Sequence, residues 1–363
     1  IGIYLQFDIA TALGGLDREM YFFISQCKWI CLSVIVFFVF FKVSAVPDLL
    51  RRGIYIFTGL LIPFLILALI QRKGDEPGRI AYIGSFSFQP SELAHPILII
   101  FFAKLIEAKE AILNDSKILP ILKSFGLFLL IAVSIFVSIY IGMHLSTLIV
   151  LGTTLTIMAF LAGVKIRYLC LLALIGFCSV FFVIKTGHNY RSDRIKLFLK
   201  YNLVCKYFVK DTDNISVDSY QSKESLIAIS QGGLIGTGSN KDRAKHKFLP
   251  DINTDFIYSM ICEQRGFIGG FFILLLYFLF LFRFIKISFD TDRIYEKFLV
   301  LGFGLNIFLK AMVHIGVVIS FLPNTGLPLP FVSYGGTALL VNTAMLAVIL
   351  NISTKRKVLN EVS

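Results

Sequence analysis

Residues 266–282 read GFIGGFFILLLYFLFLF, an apolar run that contains glycines and one tyrosine but no charged side chain. As a helix rising about 1.5 Å per residue, this run covers most of the roughly 30 Å hydrocarbon layer of a bilayer. Similar runs recur along nearly the whole chain of 363 residues, of which 56% are hydrophobic and only 16% charged. The sequence therefore predicts an all-α, polytopic membrane protein.

The apolar runs predict nine membrane spans. They lie near 21–43, 53–71, 91–108, 124–141, 144–163, 168–186, 266–283, 297–320 and 332–352. Residues 1–12 are typical of the end of one more span, so we expect about ten spans in a single transmembrane domain over 1–363. A large loop at 187–265 then separates the seventh and eighth helices, and 353–363 forms a tail.

Basic residues are divided unevenly between the two sets of connections. They concentrate around 42–52, 104–123, 165–167, 283–297 and in the tail, whereas the opposite short connections are poor in them. Short loops rich in Lys and Arg stay in the cytoplasm, and long translocated loops escape this rule. We therefore expect a cytoplasmic tail and an extracytoplasmic 187–265 loop.

Composition and motifs exclude several classes of protein. The six cysteines lack the spacing of a zinc site, and there is no Walker loop, GxSxG elbow or dinucleotide fingerprint. The net charge of +12 sits mainly in the predicted cytoplasmic connections and the large loop. That distribution indicates contact with anionic lipid or pyrophosphate rather than with nucleic acid.

The first polar cluster at a span boundary is FSFQPSELAHP at 86–96. Ser91 can cap a helix there, and Glu92 would lie in its first turn, where the helix dipole favours a carboxylate. A capped helix start explains these two residues alone. Glu92 together with His95 at a membrane boundary is better suited to a polar cavity than to lipid.

The second cluster, KFLPDINTDFIYSMICEQRGFIGG at 247–270, leads from the large loop into the eighth span. Asn253 or Thr254 could cap a helix that starts at Asp255, with Glu263 two turns further on roughly the same face. The residues alone leave two interpretations of Asp255 open. It either compensates the helix dipole or serves a polar site.

The third cluster is LPNTGLPLPFVSYGGT at 322–337, where prolines and glycines interrupt an apolar stretch. Proline and glycine at that density prevent a regular helix, so protein rather than lipid must surround the backbone. The segment is either the wall of a polar cavity or a structural re-entrant turn. In the preceding span, Asn306, Lys310 and His314 recur every four residues, so this stripe should face the protein interior.

Four motifs give the chain a resemblance to a known family. They are FSFQPSEL at 86–93, SLIAISQGGLIGTG at 225–238, FLPDINTDF at 248–256 and GLPLPFVSYGG at 326–336. In this order and spacing they resemble the SEDS family, the membrane polymerases that include RodA, FtsW and SpoVE. The resemblance covers essentially the whole chain.

The resemblance implies a peptidoglycan glycosyltransferase. Such an enzyme polymerises lipid II, the undecaprenyl-linked disaccharide-peptide, into glycan strands and releases undecaprenyl pyrophosphate, with its site on the outer face of the bacterial plasma membrane. The expected partners are a class B penicillin-binding protein transpeptidase and other proteins of the division or elongation complex. MHLST at 143–147, where PDLGT is common in the family, favours the division type.

The resemblance also implies roles for individual residues. The aspartate of the third motif is required for polymerisation in the family, which assigns catalysis to Asp255. Glu92, Ser333 and Tyr334 are then expected to line the same cavity. Ser91 and Glu263 are further residues that we expect to bind the substrate.

Fixed cations would stabilise the charge that develops on the leaving pyrophosphate. The stretch NYRSDRIK at 189–196 supplies Arg191, Arg194 and Lys196, and Lys247 is a weaker candidate. A solvated surface charge is the alternative interpretation of each. A divalent cation, Mg²⁺ or Mn²⁺, is a second source of positive charge, although the sequence identifies no ligands for it.

The chain departs from the family pattern near these motifs. His95 stands where a lysine is usual, Asn253 where a histidine is usual, and Gln264 and Arg265 where an acidic and an apolar residue are common. Two other interpretations remain open at this stage. One is a transporter or flippase of lipid II, and the other is a scaffold that recruits a transpeptidase without catalysis.

Overall fold

A computed structural model describes residues 2, 4, 17–72, 78, 80–84, 86–113, 118–142, 144–170, 217–238, 253–323 and 326–362. Two short strands, β1 (Ala81–Ile83) and β2 (Phe86–Phe88), accompany a set of helices. The helices are α1 (Asp17–Lys42), α2 (Val46–Ile70), α3 (Pro90–Leu113), α4 (Ile118–Ile141), α5 (Leu145–Leu161), α6 (Val217–Gly232), α7 (Ile257–Phe289), α8 (Ile294–Val318) and α9 (Gly336–Val362).

Several of these helices are long and apolar enough to cross a membrane. The described residues include five such stretches, at Phe23–Lys42, Val46–Ile70, Ile257–Phe289, Ile294–Val318 and Gly336–Lys355. Shorter apolar helices lie at Gly126–Ile141 and Ser146–Leu161. The all-α, polytopic membrane class is confirmed. The total of ten spans and the position of the large loop stay predictions, because much of 171–216 and 239–252 lies outside the described residues.

The chain forms two compact units, each built from discontinuous stretches. Unit one consists of Ile1–Lys28, Leu172–Phe278 and Lys310–Gly335, and unit two of Trp29–Leu171, Leu279–Leu309 and Gly336–Ser363. Three of the boundaries fall inside helices, so α1, α7 and α8 each contribute to both units. The expectation of one transmembrane domain over 1–363 stays a prediction.

The core of unit two is a packed group of helices around α3. This helix contacts α2, α4, α5 and α9. Phe101 and Phe102 of α3 both pack against the Phe128 ring, the first edge-on at 5.4 Å between ring centroids and the second stacked at 5.1 Å. A Cβ on Gly302 would lie 2.5 Å from Ile99 and 2.7 Å from the Met158 sulfur, so α8 approaches α3 and α5 at a residue without a side chain.

A β-hairpin leads directly into α3. Ala81 pairs with Phe88 and Ile83 with Phe86 in an antiparallel register, and Gly84 in the turn has a φ of 61° that suits glycine. The Gln71 side chain extends the hairpin from the end of α2, because its amide accepts from the Tyr82 N–H at 2.7 Å and donates to the Tyr82 carbonyl at 2.9 Å. The sequence pattern at 81–88 gave no indication of these strands.

The C-terminal end of α1 is closed by a side chain from α9. Asn351 Nδ2 lies 3.1 Å from the carbonyl oxygen of Phe40, 2.7 Å from that of Phe41 and 3.0 Å from that of Val43. The last carbonyls of a helix have no partner within the helix, so a buried end needs an outside donor. Asn351, which is buried, supplies it.

Unit one holds α6, the first part of α7, the last part of α8 and the segment 319–335. Ser225 of α6 is buried and its hydroxyl donates to the carbonyl of Val318 at the end of α8, at 2.9 Å. Residues 319–335 form no helix where they are described. The prediction that prolines and glycines keep this stretch out of regular helix is confirmed.

Candidate active site

Asp255 lies in a turn that immediately precedes α7. The helix begins at Ile257, and residues 253–255 form the turn before it. The expectation of a helix starting at Asp255 was therefore wrong by two residues. The physical reason is that the carbonyls of Asn253 and Thr254 accept hydrogen bonds from a distant segment instead of opening the helix.

That segment is the motif at 326–334, and Ser333 makes the central contact. The Ser333 hydroxyl donates to the carbonyl of Thr254 at 2.7 Å and accepts the backbone N–H of Leu329 at 2.8 Å. The neighbouring N–H of Tyr334 donates to the carbonyl of Asn253 at 2.8 Å. Two consecutive residues of the motif thus hold the two carbonyls that precede Asp255.

Further hydrogen bonds fix the motif itself. His314 Nδ1 donates to the carbonyl of Leu327 at 2.7 Å, and the Tyr277 hydroxyl donates to the carbonyl of Pro330 at 2.5 Å. The hydroxyls of Tyr334 and Ser25 lie 3.1 Å apart. Irregular backbone at membrane depth needs such partners, since lipid offers none. The motif is therefore held rigidly by side chains from three other segments of unit one.

Phe331 sits in the middle of this motif with a left-handed backbone, at a φ of 64°. A bulky side chain rarely adopts that conformation, and its cost is on the order of 1–3 kcal/mol. The surrounding hydrogen bonds hold the strained residue two positions before Ser333. Backbone strain of this kind concentrates at functional sites, and the strained Phe331 therefore favours a functional role for this motif.

Glu263 lies on α7, two turns into the helix, and its side chain is fully buried. Its backbone carbonyl accepts two hydrogen bonds from Thr237, one from the N–H at 2.9 Å and one from the hydroxyl at 3.1 Å. Gln264 and Ser259 on the same stretch are also buried. Buried polar side chains therefore recur along the first turns of α7, directly after the half-buried Asp255.

A break in α7 follows directly at Gly266, where φ is 65°. The glycine-rich segment that follows α6 packs against this break. The N–H groups of Phe267 and Ile268 donate to the carbonyls of Gly233 and Leu234, at 2.8 and 3.2 Å. In return, the N–H of Gly238 donates to the carbonyl of Gln264 at 3.2 Å. The backbone groups released by the break thus find partners in the second motif.

This close approach requires glycine. A Cβ on Gly232 would lie 2.0 Å from the carbonyl oxygen of Cys262, and one on Gly236 would lie 2.1 Å from that of Gln264. Gly236 also has a φ of 96°. Sequence reasoning used the motif at 225–238 for the resemblance but missed its partner. Its glycine spacing alone could have indicated a backbone-to-backbone contact.

Ser91 and Glu92 belong to unit two and are both buried. The helix α3 begins at Pro90, so Ser91 lies inside the first turn and the expectation that it precedes and caps the helix was wrong. Proline favours the first helical position because its missing N–H would have no partner there. The Ser91 hydroxyl instead accepts from the Gln89 side-chain amide at 3.1 Å. Glu92 does lie in the first turn.

A buried polar chain continues from this point along α3. His95 is completely buried, with its Nδ1 at 2.9 Å from the Asn306 side-chain nitrogen. That nitrogen also lies 3.4 Å from the hydroxyl of Thr154. Gln89 adds a 3.5 Å contact to His144 Nδ1. The polar cluster predicted around Glu92 and His95 therefore faces protein, with partners from α5 and α8 that the sequence did not identify.

The predicted site residues divide between the units. Asp255, Glu263, Ser333 and Tyr334 lie in unit one, and Ser91 and Glu92 in unit two. All three members of the predicted stripe on α8 are buried, as expected. The proposed cation candidates lie outside the described residues, namely Arg191, Arg194, Lys196 and Lys247.

The described side chains do not form a metal site on their own. Nowhere in the described ranges do three or more His, Cys, Asp or Glu side chains come close enough to hold one metal ion. The expected magnesium or manganese ion therefore has no identified ligand set here, and it stays a prediction.

Comparison with known proteins decides the family. The sequence profile of the FtsW/RodA/SpoVE family, described as cell cycle proteins, matches residues 3–358. This chain belongs to that family. The FtsW/RodA/SpoVE match includes all four motifs and both units of the fold.

Relatives in the FtsW/RodA/SpoVE family agree with this assignment. Stage V sporulation protein E of Bacillus subtilis (strain 168) is 34% identical over 75% of this chain and 70% of its own length. A probable peptidoglycan glycosyltransferase FtsW of Wigglesworthia glossinidia brevipalpis is 30% identical over 96% of this chain and 89% of its own. The second match extends over nearly the full length of both proteins.

Solved structures share the FtsW/RodA/SpoVE fold. A chain from a structure on the coordination of polymerization and crosslinking by a peptidoglycan synthase complex superposes with a TM-score of 0.72. It is 21% identical and covers 97% of both chains. The rod shape determining protein RodA of Thermus thermophilus gives a TM-score of 0.67 at 21% identity, over 98% of this chain and 93% of its own. At these identities the likeness establishes the fold.

Proposed function

We propose that this chain is a peptidoglycan glycosyltransferase that polymerises lipid II. The observation that carries the proposal is the clamp on the turn before α7, where Ser333 and Tyr334 hold the carbonyls of Thr254 and Asn253. The clamp fixes the backbone at Asp255, at the entry of a membrane-spanning helix. Relatives named as probable peptidoglycan glycosyltransferases support the same activity.

The reaction joins two lipid-linked sugars, or a growing glycan and one precursor. The acceptor's 4-hydroxyl attacks the anomeric carbon of the donor, a new glycosidic C–O bond forms, and the bond from that carbon to the pyrophosphate oxygen breaks. The bonding pair leaves with undecaprenyl pyrophosphate. The hydroxyl proton passes to the Asp255 carboxylate and then to solvent.

A fixed carboxylate has a clear physical use in this step. A sugar hydroxyl is a poor nucleophile, and a positioned general base contributes roughly 10²–10⁴ in rate. That gain depends on geometry, because a displacement of about 1 Å can cost two orders of magnitude. The hydrogen bonds that the carbonyls of Asn253 and Thr254 accept limit such displacement of the neighbouring Asp255. Asp255 is accordingly assigned as the general base.

The leaving pyrophosphate requires positive charge. Arg191, Arg194 and Lys196 are the proposed partners, with Lys247 as a weaker one, and Ser91, Glu92 and Glu263 are proposed to bind the precursor. A divalent cation would supply Lewis-acid stabilisation of the same oxygens. Among the described residues no group of three or more His, Cys, Asp or Glu side chains is arranged to hold it.

The proposed setting is the bacterial plasma membrane, with the site facing outward. The uneven distribution of Lys and Arg in the sequence supports that orientation. The proposed partner is a class B penicillin-binding protein transpeptidase. The fold it shares with a chain of a peptidoglycan synthase complex supports a partner of that kind. The proposed role is in cell division or elongation, and the residues at 143–147 favour the division type.

The test is polymerisation by the purified chain in detergent with lipid-linked precursor. The expected result is a ladder of glycan strands from the wild type and none from Asp255→Ala, while both proteins retain the same elution volume and thermal unfolding midpoint. A ladder from neither, together with precursor transfer across vesicle bilayers by both, would favour the flippase. Full activity of Asp255→Ala would remove Asp255 from the mechanism.

A further inference from the structure

Unit one carries a groove along one face of α7, from Ile261 to Ile273. Its volume is about 560 Å³. Its walls are apolar, formed mainly by Ile261, Ile268, Phe272 and Ile273, with the Tyr4 ring on the other side. Ile268 and Phe272 are largely exposed, so the groove is open to its surroundings along this face.

Arg265 is the one cation among the described residues that line the groove. Its side chain is exposed, and its guanidinium carbon lies 6.0 Å from the centre of the Tyr4 ring. Within the described ranges no carboxylate forms an ion pair with it. An exposed arginine that has no ion pair with any described carboxylate offers its guanidinium to an anion from outside the protein.

Local backbone geometry positions this arginine. Arg265 is the last residue before the break at Gly266, and a Cβ on Gly269 would lie 2.2 Å from the Arg265 Cβ. Any larger residue at 269 would therefore push the arginine away. Gly269 therefore leaves room for the Arg265 side chain beside the groove.

The position along α7 indicates the depth in the membrane. Residues 266–282 contain no charged side chain, and the helix is charged again at Arg283. At about 1.5 Å per residue this uncharged stretch covers most of a bilayer's hydrocarbon thickness. Arg265 therefore lies at the boundary with the headgroups, and the part of the groove that follows it along α7 reaches about 12 Å into hydrocarbon, to Ile273.

We propose that this groove binds one anionic phospholipid. The planar guanidinium of Arg265 donates two parallel hydrogen bonds to the lipid phosphate, and one acyl chain lies along Ile268, Phe272 and Ile273. The apolar walls match a hydrocarbon chain, and Arg265, the one cation among the described lining residues, matches the single negative charge of phosphatidylglycerol. The assignment concerns lipid binding and is independent of the proposed polymerase chemistry.

Native mass spectrometry of the full-length protein tests the proposal. Protein purified in detergent is titrated with phosphatidylglycerol or with phosphatidylcholine of the same acyl chains. A charge-assisted contact of about 1.4 kcal/mol corresponds to a tenfold difference in affinity. We expect the first phosphatidylglycerol to bind about tenfold more tightly than phosphatidylcholine, and Arg265→Leu to remove that difference. Arg265→Lys should retain part of the difference in affinity, because the positive charge is kept while the two parallel hydrogen bonds of the guanidinium are lost.

Two further variants sharpen the result. Gly269→Ala should weaken phosphatidylglycerol binding as Arg265→Leu does, since it displaces the arginine. Arg283→Leu, which removes a charge at the other end of α7, should leave the high-affinity lipid in place. Equal affinity for both lipids in the wild type, or an unchanged preference in Arg265→Leu, would overturn the proposal. Displacement of phosphatidylglycerol by hundredfold less undecaprenyl pyrophosphate would also overturn it, because the groove would then hold the carrier lipid.

Discussion

The Ser333 hydroxyl donates a 2.7 Å hydrogen bond to the carbonyl of Thr254, the residue before Asp255. The same oxygen accepts the N–H of Leu329 at 2.8 Å, so one side chain joins two segments that are far apart in sequence. This relationship connects the last family motif to the proposed general base. Ser333 is therefore a positioning residue, which acts through the turn at 253–255.

Replacement of Ser333 by alanine should lower kcat without unfolding the protein. The change removes both hydrogen bonds and leaves two backbone groups, one buried and one partly buried, without this partner, at a cost of about 1–3 kcal/mol. We expect kcat to fall by about tenfold to a hundredfold, with little change in KM. Ser333→Thr keeps the hydroxyl and should restore part of the rate. A wild-type kcat in Ser333→Ala would show that the clamp has no role in positioning.

Gly236→Ala should destabilise the protein through the contact between α6 and the break in α7. The new Cβ would meet the carbonyl oxygen of Gln264 at 2.1 Å, at a residue whose φ is 96°. The expected loss is about 2 kcal/mol or more, measured by thermal unfolding in detergent. Gly152→Ala is the matched control, because a Cβ there meets nothing within 4 Å and alanine favours the helix α5. Equal unfolding midpoints in both variants would contradict the close packing.

His95 and Asn306 should show energetic coupling. Their side-chain nitrogens lie 2.9 Å apart in a buried setting, and Asn306 also reaches Thr154. A double-mutant cycle with His95→Leu and Asn306→Leu should give a coupling free energy of about 0.5–3 kcal/mol. The measurement compares the unfolding free energies of both single variants and the double variant. Strict additivity would show that the two residues act independently.

Asn351→Leu should destabilise the end of α1. The substitution keeps the approximate size of the side chain but removes the donor that serves three carbonyls, which costs about 1–3 kcal/mol. Thr58→Val in α2 is a suitable comparison, since its buried hydroxyl bonds within its own helix, to the carbonyl of Ile54. We expect a clearly larger drop in unfolding midpoint for Asn351→Leu. The reverse order would contradict the proposed role of Asn351.

Helices were the part of the fold most readily predicted from sequence. The run at 266–282 predicted a membrane helix because a helix satisfies the hydrogen bonds of its backbone within a single segment in lipid. The hairpin at 81–88 was missed, since its strands have three residues each and the Gln71 side chain that extends it comes from another element. The end of α1 depends in the same way on Asn351, which is remote in sequence.

Polar residues were predicted more successfully than their partners. The cost of burying Glu92 or His95 in lipid indicated protein surroundings, and both are buried. Sequence patterns could not pair His95 with Asn306, because that contact depends on how α3 and α8 pack. The start of α7 was placed two residues too early for a related reason. Capping rules describe local hydrogen bonds, whereas Ser333 and Tyr334 lie far along the sequence from this turn.

The central claim is that the Asp255 carboxylate takes the acceptor's proton. Its most direct test is the rate of glycan polymerisation by Asp255→Asn, which keeps the size of the side chain and removes the base. We predict a fall of roughly 10²–10⁴ at unchanged unfolding midpoint. Asp292→Asn, at an exposed position between α7 and α8, should polymerise at the wild-type rate. Equal rates for Asp255→Asn and the wild type would contradict the account.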